Sequence, residues 1–183
     1  MLISRDDLYA GLLRLGEIAH AAGKLIEISI DGGAALGLVW NLREFTRDVD
    51  AVIHGDSAFL RQAALSVANE REWPDDWLND GVKGFLSSNP SLNFWRDFPS
   101  LEKRGIRGFV PRPEYRFAMK AMAMQIGDPA NTRDIADLRA LGAMVGIARA
   151  EDAISLVERY YPENRISPKT LFGLQEWFDA GTA

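Results

Sequence analysis

The chain contains no cysteine among its 183 residues. That excludes disulfides and thiolate metal sites, and it leaves the redox compartment unmarked. Only two histidines are present, His20 and His54, which argues against a zinc site built on imidazole clusters. No run approaches the ~18 apolar residues of a membrane span, so no membrane association is expected. A secretory leader is not expected either. "MLISRDDLYAGLLRLGEIAH" places Arg5, Asp6 and Asp7 early and has no uninterrupted apolar core. A cytoplasmic protein is the expectation. A basic balance is also lacking. The net charge is −5 and the pI about 5.1, which argues against a protein mainly occupied with wrapping nucleic acid, although a local basic groove is compatible with it.

What is there is ample for a core: 47% of residues are hydrophobic. The length suits one domain, or one with a small appendage. Ser4 can cap a helix, with Asp7 in a box-like position, and Leu8, Leu12, Leu15, Ile18 and Ala19 recur at helical spacing. In "LIEISID", Ile26, Ile28 and Ile30 alternate with Glu27, Ser29 and Asp31, which predicts a half-buried strand. Gly32-Gly33 breaks it, and "AALGLVWNLR" reads as a short helix. "TRDVDAVI" is the next strand, and "DSAFLRQAALSVANER" a helix capped by Asp56 or Ser57.

"EWPDDWLNDGVKGF" is loop-rich, and residues 86–112 carry "GIRGFV" as one candidate strand. Four helical segments follow: "EYRFAMKAMAMQIG", "NTRDIADLRALGAMVG" capped by Asn131 or Thr132, "RAEDAISLVERYYP", and "SPKTLFGLQEWFDAG" with Ser167 as cap and Pro168 in its first turn. The predicted class is α+β (mixed α/β). A small sheet flanked by helices fills residues 1–112, and a helical half, 113–183, packs on it, either as a second domain or as part of a single one.

The stretch of most chemical interest is "DGGAALGLVWNLREFTRDVDAVI". A strand alternates its side chains between two faces. "DVDAVI" therefore puts Asp48, Asp50 and Val52 on one side and Val49, Ala51 and Ile53 on the other. Two carboxylates that close cost free energy unless something positive lies between them. A hard divalent cation such as Mg²⁺, which takes one or two carboxylates plus substrate phosphates, is the economical partner. A Gly-Gly turn after a strand lets backbone N–H groups approach an anion. One element could cradle a triphosphate while the other holds the metal that bridges it. Taken singly, Gly-Gly is commonly a plain turn and Asp-x-Asp a solvated strand face. Their order and spacing together carry the specificity.

These residues resemble the nucleotidyltransferase superfamily signature, a Gly-Gly/Ser turn followed by Asp-x-Asp. The likeness is nearest to AbiEii-type and related bacterial nucleotidyltransferase-like proteins. Such proteins combine a Gly-Gly-x-x-Leu turn, an Arg and a Thr ahead of Asp-x-Asp, and a helical half with a Lys and a later Arg-Asp-x-x-Asp-Leu. Here the elements read "GGAAL", Arg43, "TRDVD", Lys120 in "AMKAMAM", and "TRDIADL". "WLNDGVKGF" is similar to a further segment of these relatives.

The resemblance implies that Gly32, Gly33, Arg43 and Lys120 bind the nucleotide and that Asp48 and Asp50 hold Mg²⁺ (or Mn²⁺). Asp134 or Asp137 would be a supporting carboxylate, or would orient Lys120. It implies transfer of a nucleoside monophosphate from an NTP to a hydroxyl on RNA (tRNA) or protein, in the manner of a toxin of a toxin–antitoxin system with a cognate antitoxin.

Read without the resemblance, the second block stays open. Lys120 either snorkels to water or joins Arg116, one helical turn earlier, in a positive wall. Asp134 and Asp137 share a face, and Arg133 with Asp137 could form a surface ion pair. Arg43 and Arg47 could bind phosphate or balance the acids. An RNA acceptor would need a basic surface, for which Arg104, Arg107, Arg112 and Arg116 are the best candidates.

Many superfamily members add a third carboxylate from a later strand. "GIRGFV" has none, and Asp97 falls in a segment read as irregular. That departure keeps a second reading in view: a catalytically inactive binding module, with the acidic, Trp-bearing segment 72–80 docking a partner. A phosphohydrolase on the same acids ranks last, because no further His or Asp cluster supports a two-metal centre.

Overall fold

The computed structural model describes residues 1–123 and 132–179, with side chains excepted at 132–134 and 179. Seven α-helices and seven β-strands form among them, so the class is mixed α+β. The chain divides into a sheet unit, Met1–Gly84 with Leu92–Val110, and a helical unit, Phe85–Ser91 with Pro111–Ala183.

The sheet unit opens with β1 (Ile3–Ser4) and α1 (Arg5–Ala21). Ser4 caps α1 as its sequence predicts, accepting from Asp7 N and donating to Asp7 Oδ2 at 2.6 Å. α1 buries Leu8, Leu12, Leu15 and Ala19. Then come β2 (Ile26–Ile30), α2 (Gly32–Leu38), β3 (Phe45–Thr46), β4 (Val49–His54), α3 (Ser57–Arg71), β5 (Leu78–Asn79), β6 (Leu92–Phe98) and β7 (Ile106–Pro111).

The main sheet runs β5-β4-β2-β7-β6, and β1 pairs with β3 in a separate ribbon. β2 is antiparallel to β4 and parallel to β7, and β4 is parallel to β5. The isoleucines of β2 pack with the α1 leucines and with Leu60, Ala64 and Val67 of α3 in one core. Gly105 lies so close to the α1 backbone at Gly16 and His20 that no side-chain carbon would fit there. This contact brings the β6–β7 hairpin against α1.

In the helical unit, α4 (Pro113–Ala123), α5 (Thr132–Val145), α6 (Ala150–Glu158) and α7 (Pro168–Asp179) follow in order. Ser167 Oγ accepts from Thr170 N at 3.1 Å, the predicted cap of α7. The continuation of α4 to Gly127 and the Asn131 cap lie outside the described residues, as do the Thr132 and Asp134 side chains.

The structure differs from the sequence expectations at several points. The helix after Gly32-Gly33 begins at Gly32 and ends at Leu38, so residues 39–44, with Arg43, form a loop. The strand expected from Thr46 is interrupted: Thr46 belongs to β3, and Asp48 immediately precedes β4. Residues 92–98, read as irregular, form β6, so Asp97 is a strand residue. Segment Phe85–Ser91 belongs with the helical unit rather than with 1–112. The reason is local bonding. The Tyr115 hydroxyl accepts from Ser87 N at 2.9 Å, Tyr161 donates to Phe85 O, Ser87 Oγ donates to Tyr160 O, and Arg165 donates to Leu86 O at 2.8 Å.

Candidate functional site

Four of the residues singled out in the sequence meet where β2 hands over to α2. Asp31 N donates to Asp50 O at 2.7 Å, extending the β2–β4 ladder by one step. Gly32 then adopts φ +65°, and a side-chain carbon there would overlap Asp50 Oδ2. Glycine is thus required twice over: for the left-handed backbone and for the closeness of the carboxylate. A side-chain carbon at Gly33 would come within 2.7 Å of an Arg43 guanidinium nitrogen and 2.8 Å of Thr46 Oγ1. The two glycines therefore draw Asp50 and Arg43 onto the same turn. Arg43 also lines a cleft of about 460 Å³ with Ser4, Arg5, Asn41 and Leu42.

Asp48 reaches the same locus from the start of β4. Val49 and Ala51 are fully buried while Asp48 and Asp50 are half-buried, the alternation that the strand pattern predicts. Asp48 Oδ2 accepts from Asn79 Nδ2 at 3.0 Å. Burial pushes the Asp48 carboxyl above its ordinary range; the Asn79 hydrogen bond opposes this, Asp76 adds to it and Arg47 opposes it. Asn79 is the residue that sequence reasoning missed. β5 lies beside β4 with Asn79 opposite Asp50. The only signal was its place in "WLNDG", without a role attached.

Among the described residues no group of three or more His, Asp or Glu side chains gathers at metal-holding distance. The donor set here is two carboxylates, with the Asn79 amide beside them. A side-chain carbon at Gly81 would lie 3.0 Å from both Asn79 Oδ1 and Asp50 Oδ1. The space that glycine leaves open is thus bordered by oxygens. Oxygen donors with one or two carboxylates, completed by water and phosphate, suit a hard divalent cation, so these residues fit Mg²⁺ or Mn²⁺.

Asp97 does not supply a third carboxylate to this locus. It sits on β6, three strand spacings from β4, about 14 Å at the usual separation. It is paired with Arg107 at 3.1 Å, and its buried Oδ2 has no partner among the described residues.

Lys120 and Asp137 come together in the helical unit, Nζ to Oδ2 at 2.8 Å, bridging α4 and α5. Their side chains are 13% and 9% exposed, so Lys120 does not snorkel and Asp137 is no surface residue. Two other expectations are corrected. Trp77 is fully buried, donates to Ala64 O at 2.9 Å and packs edge-on against Trp73, so these tryptophans belong to the core and not to a docking surface. Of the four arginines offered as a basic surface, Arg116 is buried and Arg107 is tied to Asp97.

No family model, no curated protein and no solved structure matches this chain. Among the described residues no helix is long and apolar enough to cross a membrane.

Proposed function

We propose that this protein is a Mg²⁺- or Mn²⁺-dependent nucleotidyltransferase, moving a nucleoside monophosphate from an NTP to a hydroxyl on RNA or protein in the cytoplasm. The single observation that carries this reading is the meeting of Gly32 and Gly33 with Asp50 and Arg43 on one turn, with Asp48 held alongside. Asp48 and Asp50 would hold the cation, which when bound neutralises phosphate charge. Arg43 would face the phosphates, and the two glycines leave room for close approach of backbone N–H groups. In the reaction the acceptor oxygen bonds to the α-phosphorus, the bond to the β-phosphate oxygen breaks, pyrophosphate leaves with the electron pair, and the hydroxyl proton is released. Lys120, oriented by Asp137, enters through the family resemblance, as do the tRNA acceptor, the toxin role and a cognate antitoxin.

One observation favours a second reading, a nucleotide-binding module without transfer: Asp97 lies far from the acidic pair, and among the described residues no group of three carboxylates gathers there. The deciding experiment incubates the protein with Mg²⁺, each of four α-labelled NTPs, and total bacterial RNA plus protein, beside Asp48→Ala/Asp50→Ala. Label on an RNA or protein band that vanishes in the double variant is expected. Mg²⁺-dependent nucleotide binding with no labelled product favours the module.

A further inference from the structure

We infer that the Asn79–Gly81 turn is the positioning device of the acidic pair: Asn79 orients Asp48, and Gly81 keeps the space beside Asp50 open. This rests on the metal-holding reading above.

Both ends of the Asn79 amide are engaged. Nδ2 donates to Asp48 Oδ2 at 3.0 Å and lies 3.4 Å from Asp76 O, and Oδ1 accepts from Gly81 N at 2.8 Å. Reversing the amide would set oxygen against a carboxylate and NH₂ against N–H, so only one orientation satisfies all partners. Asp48 is thereby fixed by a neutral donor. An amide orients a carboxylate without cancelling its charge, as the outer partner of a metal ligand must do.

The neighbouring residue shows the contrast. Asp80 is gripped by two cations, Lys83 and Arg61, an arrangement that leaves little charge for a metal. Gly81 contributes by what it lacks. A methyl there would press on Asn79 Oδ1 and Asp50 Oδ1 together, each 3.0 Å away. The whole device hangs on the parallel placement of Asn79 beside Asp50.

The test measures Mn²⁺ uptake by the full chain, without nucleotide, from the electron paramagnetic resonance signal of free Mn²⁺. Metal-free thermal melts run alongside. Asn79→Ala should weaken Mn²⁺ binding about 10- to 100-fold, the range for outer partners of metal ligands, with Gly81→Ala weakening it less. Both are assayed well below their melting temperatures, and Asn79→Ser replaces Asn79→Ala if the latter does not fold. A lowered melting temperature with Mn²⁺ affinity equal to wild type would mean that the turn only ties β5 to β4, and would overturn the inference. Absence of Mn²⁺ uptake by the wild type would instead overturn the metal reading, and the inference with it.

Discussion

Asp48 and Asp137 are both carboxylates drawn out of water, and they differ in what the fold set against them. In the helical unit, Asp137 meets Lys120 in a close ion pair that settles both charges internally. In the sheet unit, Asp48 meets an amide, and burial outweighs that help, so its carboxyl lies above the usual range. One pair is complete as folded. The other sets a neutral amide against its carboxylate. A protein can build either, and the difference marks Asp48 as the carboxylate on which the proposed cation would act.

The comparison is sharpest for Asp137. Asp137→Ala removes the 2.8 Å partner of Lys120 at a nearly buried position, and breaking such a pair costs about 3–5 kcal/mol. Replacing both with Met and Leu should recover most of that loss. Urea unfolding measures both, and a loss under about 1 kcal/mol for Asp137→Ala, the value of a solvated pair, would erase the contrast.

Gly32→Ala comes next. A non-glycine residue in the left-handed region costs about 1–3 kcal/mol, and the added carbon must also displace Asp50. Stability and Mn²⁺ affinity should fall together. Unchanged Mn²⁺ affinity would separate Asp50 from the metal.

Asp48→Asn should act in the opposite direction. A carboxyl whose folded pKa is raised binds its proton more tightly in the folded state, so stability falls as pH rises through that window. The penalty is therefore present at neutral pH and absent below the ordinary carboxylate range. Asp48→Asn should raise the melting temperature at pH 7, with the gain fading as pH drops below about 4. Equal melting temperatures across that range would show that burial does not strain Asp48.

The smallest effect belongs to Asp80, whose carboxyl is pulled down to about 2 by Lys83 and Arg61. Here the sign reverses. Its contribution is present above the ordinary carboxylate range and is lost as pH falls toward that value. Asp80→Asn should lower the melting temperature slightly at neutral pH, and added salt should shrink the difference. A salt-independent loss would mark the contact as structural.

Much of this was legible where the signal is local. The Ser4 cap, the isoleucine alternation of β2, the acid-out pattern of β4 and the Ser167 cap all depend on residues a few positions apart. β6 was not, because its burial does not alternate: Phe94 is exposed and Asp97 and Phe98 are both buried. β5 holds only two residues and exists through its pairing with β4. Asn79 was invisible as a site residue for the same reason. Its partner Asp48 is 31 positions away and reaches it through a parallel contact. Lys120 and Asp137 were linked only through the resemblance, which offered Asp134 or Asp137 as the partner; read alone, Lys120 could snorkel to water and Asp137 could pair with Arg133 on the surface.

The central claim is that Asp48 and Asp50 hold a divalent ion that carries a nucleotide. Isothermal titration of each of the four NTPs, with and without Mg²⁺, against wild type and Asp48→Ala/Asp50→Ala tests it most directly. The account predicts binding of at least one NTP that requires Mg²⁺ and disappears in the double variant. Binding that is indifferent to Mg²⁺, or that survives the loss of both carboxylates, would contradict it.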